Sequence, residues 1–82
     1  MSEHQVTLLG RVDCYACEVA KADLERICGE IGIELTVVDV DTDTELRAEY
    51  GDMVPVILIN GEEHGYWKVE EERFRAALRS WG

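Results

Sequence analysis

Nowhere does this sequence carry an apolar run approaching the roughly 20 residues that a membrane-crossing helix needs, so no membrane partner is expected. Its start, Met1-Ser2-Glu3-His4-Gln5, has neither the basic region nor the apolar core of a secretory signal, and a cytoplasmic location is the expectation. Basic residues are scarce: 8 Lys and Arg face 18 Asp and Glu, a formal net charge of −10. Such a field repels phosphate backbones and anionic membrane surfaces. The few cations are also scattered, which excludes nucleic acid as an expected partner, and the same field weighs against small anionic ligands. There is no repeat, no low-complexity tract and no linker rich in Pro, Gly or Ser, so no domain boundary is visible. A second C-x-x-C or spaced His pair is missing as well, and a closed zinc site would need it.

What remains is one domain spanning residues 1–82, with 46% hydrophobic residues to build a core despite the charge. Val6-Thr7-Leu8-Leu9 is a β-prone run closed by Gly10. From Glu18 the pattern is helical, with Ala20, Leu24, Ile27, Cys28 and Ile31 on one face and Gly29 and Gly32 at its end. Leu35–Val40 reads as a second strand. Thr42-Asp43-Thr44-Glu45 has the form of a capping box, opening a short helix through Leu46 and Tyr50 to Gly51. Val54–Ile59 is the most apolar strand and is expected at the centre of the sheet. Asn60-Gly61 signals a hairpin into a strand near Glu63–Lys68. A last helix from about Glu70 to Ser80 places Phe74, Ala77, Leu78 and Trp81 on one face. The order is β-α-β-α-β-β-α, an α/β sandwich.

Chemistry concentrates at Cys14-Tyr15-Ala16-Cys17, between the first strand and the first helix. Two intervening residues let both thiols share the first helical turn, close enough to form a disulfide. A helix amino terminus offers unpaired N–H groups and partial positive charge, which favour a thiolate at Cys14. Cys17, one turn deeper, suits the resolution of a mixed disulfide. Arg11 adds positive potential that Asp13 opposes. The competing reading, half of a zinc knuckle, lacks its partner pair. Pro55, the sole proline, belongs at the start of a strand because it cannot donate to a central ladder. On its own it reads as an ordinary trans residue. Cys28 reads as a small buried hydrophobe. Asp39, Asp41 and Asp43 alternate as calcium ligands would, but the sixth position is Thr44 rather than Gly and the twelfth is Tyr50 rather than Glu. They read as solvated residues and a helix-start charge. His4 and His64 read as surface residues, and Tyr66 with Trp67 as core packing or, alternatively, a partner surface.

Taken together, the strand leading into Cys14-Tyr15-Ala16-Cys17, the helix, and Val54-Pro55 before a hairpin resemble a thioredoxin-fold protein, and most of all a glutaredoxin. The resemblance covers about Gln5 to Leu78, and His64-Gly65-Tyr66-Trp67-Lys68-Val69 is similar to small bacterial glutaredoxin-like proteins. It implies a three-layer sandwich with a four-stranded mixed sheet, Cys14 as nucleophile and Cys17 as resolving thiol. It also implies a cis Pro55 facing the dithiol, with Val54 offering its backbone to a bound peptide or glutathione. Arg11 falls where glutaredoxins often place a Lys that meets a glutathione carboxylate, and Tyr15 completes the implied substrate-binding set. Two features depart from the family: its usual Cys-Pro-Tyr-Cys order, and a Gly-Gly-x-Asp segment that Tyr66-Trp67-Lys68-Val69 replaces here. The expected function is a small thiol–disulfide oxidoreductase acting on disulfide-containing proteins or glutathione adducts. It needs no metal and no tightly bound cofactor, and takes electrons from glutathione or a thioredoxin reductase. Nothing demands more than a monomer. Two alternatives stand beside it: a carrier of metal or an iron–sulfur cluster through Cys14, and a non-catalytic binding module with a vestigial C-x-x-C.

Overall fold

Alternation along the first apolar run sends Val6 and Leu8 to one side and Leu9 to the other, so the strand has a buried face in each of two layers. In the computed structural model, which describes residues 4–66 and 69–80, that run is β1 (Gln5–Gly10). It is followed by α1 (Tyr15–Ile31), β2 (Glu34–Asp39), a 3-10 turn (Val40–Thr42), α2 (Thr44–Tyr50), β3 (Val56–Ile59), β4 (Glu62–Tyr66) and α3 (Glu71–Ser80). The sheet order is β2-β1-β3-β4, with β1 parallel to β2 and antiparallel to β3, and β3 antiparallel to β4. A parallel neighbour needs a crossover, and α1 supplies it. The expected four-stranded mixed sheet with three helices is the observed architecture, and β3 lies inside it. Among the described residues, no helix is long and apolar enough to cross a membrane.

Two clusters fill the layers. Val6, Leu8, Ile57 and Ile59 pack under Ala20, Leu24, Ile27 and Cys28 of α1 and Phe74 and Leu78 of α3. On the opposite face Leu9, Val40 and Val56 meet Leu46 and Tyr50 of α2 together with Met53 and Val54. Cys28 is buried in the first cluster, as a small hydrophobe would be. Outside the core, Arg26, Glu30, Glu71 and Arg75 close a ring of ion pairs between α1 and α3, with Arg26–Glu71 at 2.9 Å and Arg75–Glu71 at 3.0 Å. Exposed pairs of this kind add little each.

Several element edges differ from the sequence expectation. The first helix begins at Tyr15 rather than Glu18, and Gly29 lies within it, whereas Gly32 ends it in the left-handed region at φ 75°. Val40 leaves the second strand and opens the 3-10 turn. The second helix is capped by Asp43, not Thr42: its carboxylate accepts from the N–H groups of Glu45 and Leu46. Asn60 and Gly61 both have positive φ, 52° and 84°, which matches the tight turn their pairing predicts. The fourth strand is described to Tyr66; Trp67 and Lys68, and Trp81 on the last helix face, lie outside the described residues.

This topology fixes the site. Leu9 pairs with Val56, so the loop leaving β1 and the segment entering β3 share one end of the sheet. The first carries Arg11 to Cys14; the second carries Val54 and Pro55.

Candidate functional site

Asp13 sits in the left-handed region at φ 61°, a conformation that Asp tolerates better than most side chains. Cys14 follows in extended conformation as the N-cap of α1. Its sulfur takes the place that a Ser or Asp oxygen usually holds, accepting the Cys17 N–H at 3.2 Å. Partly exposed, Cys14 stands at the surface, flanked by Val12 and Tyr15, which are 72% and 83% exposed.

Cys17 is the opposite case. It is 5% exposed and packs against the end of β1, where Gly10 leaves it room. A Cβ added at Gly10 would stand 3.3 Å from the Cys17 Cβ and 3.4 Å from its sulfur. The Cys17 thiol is pushed up to about 11, first by burial and then by its hydrogen bond with Cys14, while the Arg11 backbone N–H and charge pull the other way. In the reduced protein Cys17 is therefore expected to resist alkylation until strongly alkaline pH, and the partly exposed Cys14 to be alkylated ahead of it. Removing Cys14 as Cys14→Ala lowers the Cys17 midpoint but leaves it raised, because burial is the larger cause. Alkylation against pH, read by mass spectrometry, checks both statements.

The Val54–Pro55 bond is cis, where a lone proline would by default be trans. Pro55 is buried, and Val54 packs on the α2 side. Arg11 lies beside Cys14 in sequence, but its guanidinium is engaged: Nε meets Asp41 at 3.0 Å and Nη1 reaches the Gly51 carbonyl at 3.5 Å. The hydrogen bond it donates to Asp41 raises the Arg11 pKa. A groove of about 210 Å³ runs between the start of α1 and the edge strand β2, lined by Val12, Cys17, Lys21 and Val37 among others.

Cys28 lies buried eleven residues beyond Cys17, about 16 Å along the helix, too far to pair with it. The three spaced aspartates separate into different duties: Asp39 caps the 3-10 turn, Asp41 binds Arg11 and Asp43 caps α2. His64 is not a surface residue. It is half-buried with its ring 5.8 Å from that of Phe74, edge to face, and burial together with Arg73 lowers its pKa. Sequence reasoning missed Gly10 as a site residue, although a glycine at the strand end ahead of a C-x-x-C was a signal for close approach. It also missed Asp41 as the partner of Arg11, for which a sequence separation of 30 left no local signal.

The Glutaredoxin-like domain (DUF836) model matches residues 5–79. The chain belongs to the glutaredoxin-like family. Uncharacterized protein Rv0508 of Mycobacterium tuberculosis is 42% identical over 83 residues, covering 95% of this glutaredoxin-like chain and 86% of its own length. Among solved structures, protein Ne2328 from Nitrosomonas europaea superposes with a TM-score of 0.80 at 24% identity, covering 94% of this chain and 93% of that one. Thioredoxin from Fasciola hepatica superposes at 0.64 with 23% identity, over 95% of this chain and 80% of its own. At these identities the two structures establish a shared thioredoxin fold for this glutaredoxin-like domain and nothing finer.

Proposed function

We propose that this protein is a small thiol–disulfide oxidoreductase. The reading is carried by the asymmetry of the pair: an accessible Cys14 sulfur at a helix amino terminus, backed by a buried Cys17 held as the thiol. The Cys14 thiolate attacks one sulfur of a substrate disulfide and forms a mixed disulfide, and the other substrate sulfur leaves as thiolate and takes up a proton. Cys17 then gives up its proton and attacks the Cys14 sulfur. The second substrate sulfur departs, and the Cys14–Cys17 disulfide closes. Two electrons have passed from the dithiol to the substrate. Its burial keeps Cys17 from competing for the first attack. A thiol reductant or a reductase reverses the cycle, with no metal and no bound cofactor. The Val54 backbone and Pro55, at the same sheet end, form one wall for the substrate, and Val12 and Tyr15 offer it an apolar rim. The protein works as a monomer in the cytoplasm, where thiols are kept reduced.

The test is a dithiol titration. Reduced protein treated with 2-hydroxyethyl disulfide loses two hydrogens and gains a Cys14–Cys17 bridge by peptide mapping. Cys17→Ser stops one step earlier and accumulates the mixed disulfide at Cys14. Oxidation that fails to join this pair, or a Cys17→Ser variant that still turns over as the parent does, overturns the reading.

A further inference from the structure

Two cations line the groove beside the dithiol, Arg11 and Lys21, and they are unequal. Lys21 makes no ion pair among the described residues, and it stands one helical turn beyond Cys17, away from the reacting sulfur. Arg11 is the cation of the loop that delivers Cys14, and it is already neutralised. Its Nε donates to the Asp41 carboxylate at 3.0 Å, its Nη1 turns to the Gly51 carbonyl, and Asp39 and Asp52 lie close enough to raise its pKa further. Asp13 precedes Cys14 and Glu18 follows Cys17. A carboxylate arriving with a substrate thiol thus meets an arginine that a carboxylate of the chain already holds.

We propose that Asp41 sets substrate class by occupying Arg11, turning the site away from anionic thiols such as glutathione and towards neutral or cationic disulfides. The inference rests on the dithiol chemistry above. Asp41 is a specificity residue that acts through Arg11, not a catalytic one. The pair is partly exposed, with side chains 41% and 34% accessible, so its effect is a matter of severalfold rather than of orders of magnitude.

The experiment compares the rates at which three disulfides oxidise the reduced protein at low ionic strength: glutathione disulfide, neutral 2-hydroxyethyl disulfide, and dicationic cystamine. The parent protein reacts fastest with cystamine and slowest with glutathione disulfide, relative to the intrinsic reactivity of each with a free thiol. In Asp41→Asn the ratio of the glutathione disulfide rate to the neutral rate rises about threefold to tenfold, and the cystamine ratio falls. Asp41→Ala does the same. In the double variant Arg11→Ala with Asp41→Asn, whose net charge equals that of the parent, the glutathione ratio returns to the parent value. A ratio unmoved in Asp41→Asn, or a gain that persists in the double variant, overturns the proposal while leaving the dithiol chemistry intact. Failure of all three disulfides to join Cys14 to Cys17 overturns that chemistry, and this inference with it.

Discussion

Replacing Cys14 with serine abolishes disulfide exchange, with an expected loss of about 10³-fold or more, while the fold stays as stable as the parent. The chemical half of this expectation follows from nucleophilicity, since a hydroxyl without an adjacent base is a poor nucleophile. The structural half follows from the N-cap. Serine is a preferred capping residue, and its oxygen can accept the Cys17 N–H that the sulfur accepts now. The variant therefore separates chemistry from folding. Turnover of 2-hydroxyethyl disulfide by dithiothreitol, measured beside a urea titration, reads both. Substantial remaining turnover would place the nucleophile elsewhere, and the buried Cys28 is the only other thiol besides Cys17.

The largest stability effect is expected at Phe74. Its side chain has no exposure and joins α3 to the cluster formed by β1, β3 and α1. Among the described residues of that helix, only Leu78 accompanies it as buried. Truncation to alanine removes the ring and leaves a cavity under α3, a change that costs about 3–5 kcal/mol in well-packed cores. A domain of this size commands roughly 4–12 kcal/mol in total, so Phe74→Ala is expected to be largely unfolded at moderate urea. Phe74→Leu keeps most of the volume and loses about 1–2 kcal/mol. Circular dichroism during urea unfolding distinguishes the two. A loss below about 1 kcal/mol for the alanine variant would mean that α3 does not close the core.

The chemistry-bearing features were legible because each is local. Cys14 and Cys17 are spaced by one helical turn, Asn60-Gly61 is a two-residue turn, and Val56–Ile59 is a short apolar run. The start of α1 was legible only from the C-x-x-C spacing and not from apolar periodicity, since Tyr15, Ala16, Glu18 and Val19 are all exposed. Around the second helix the sequence offers two capping residues in adjacent positions, Thr42 and Asp43. The choice of Asp43 depends on Val40 turning inward to the α2-side cluster, which is a tertiary event. His64 was misread for a similar reason, because the ring that shelters it comes from a helix ten residues on. The engagement of Arg11 by Asp41 belongs to this class too: charge pattern alone showed a cation near the dithiol but not that it was already taken.

The sulfur that caps α1 has a further consequence. A disulfide sulfur is a poorer acceptor than a thiolate, so on the proposed dithiol chemistry oxidation is expected to weaken the hydrogen bond that Cys17 N–H donates to the capping sulfur. Helix capping and electron affinity are then one free energy seen from two sides. If the cap is worth about 1 kcal/mol more in the reduced state, the two-electron couple is displaced by about 20 mV towards the oxidising side. On the dithiol chemistry proposed above, the backbone of Cys17 is a tuning element for its own side-chain chemistry, and electrons held here are held partly in the order of a helix end.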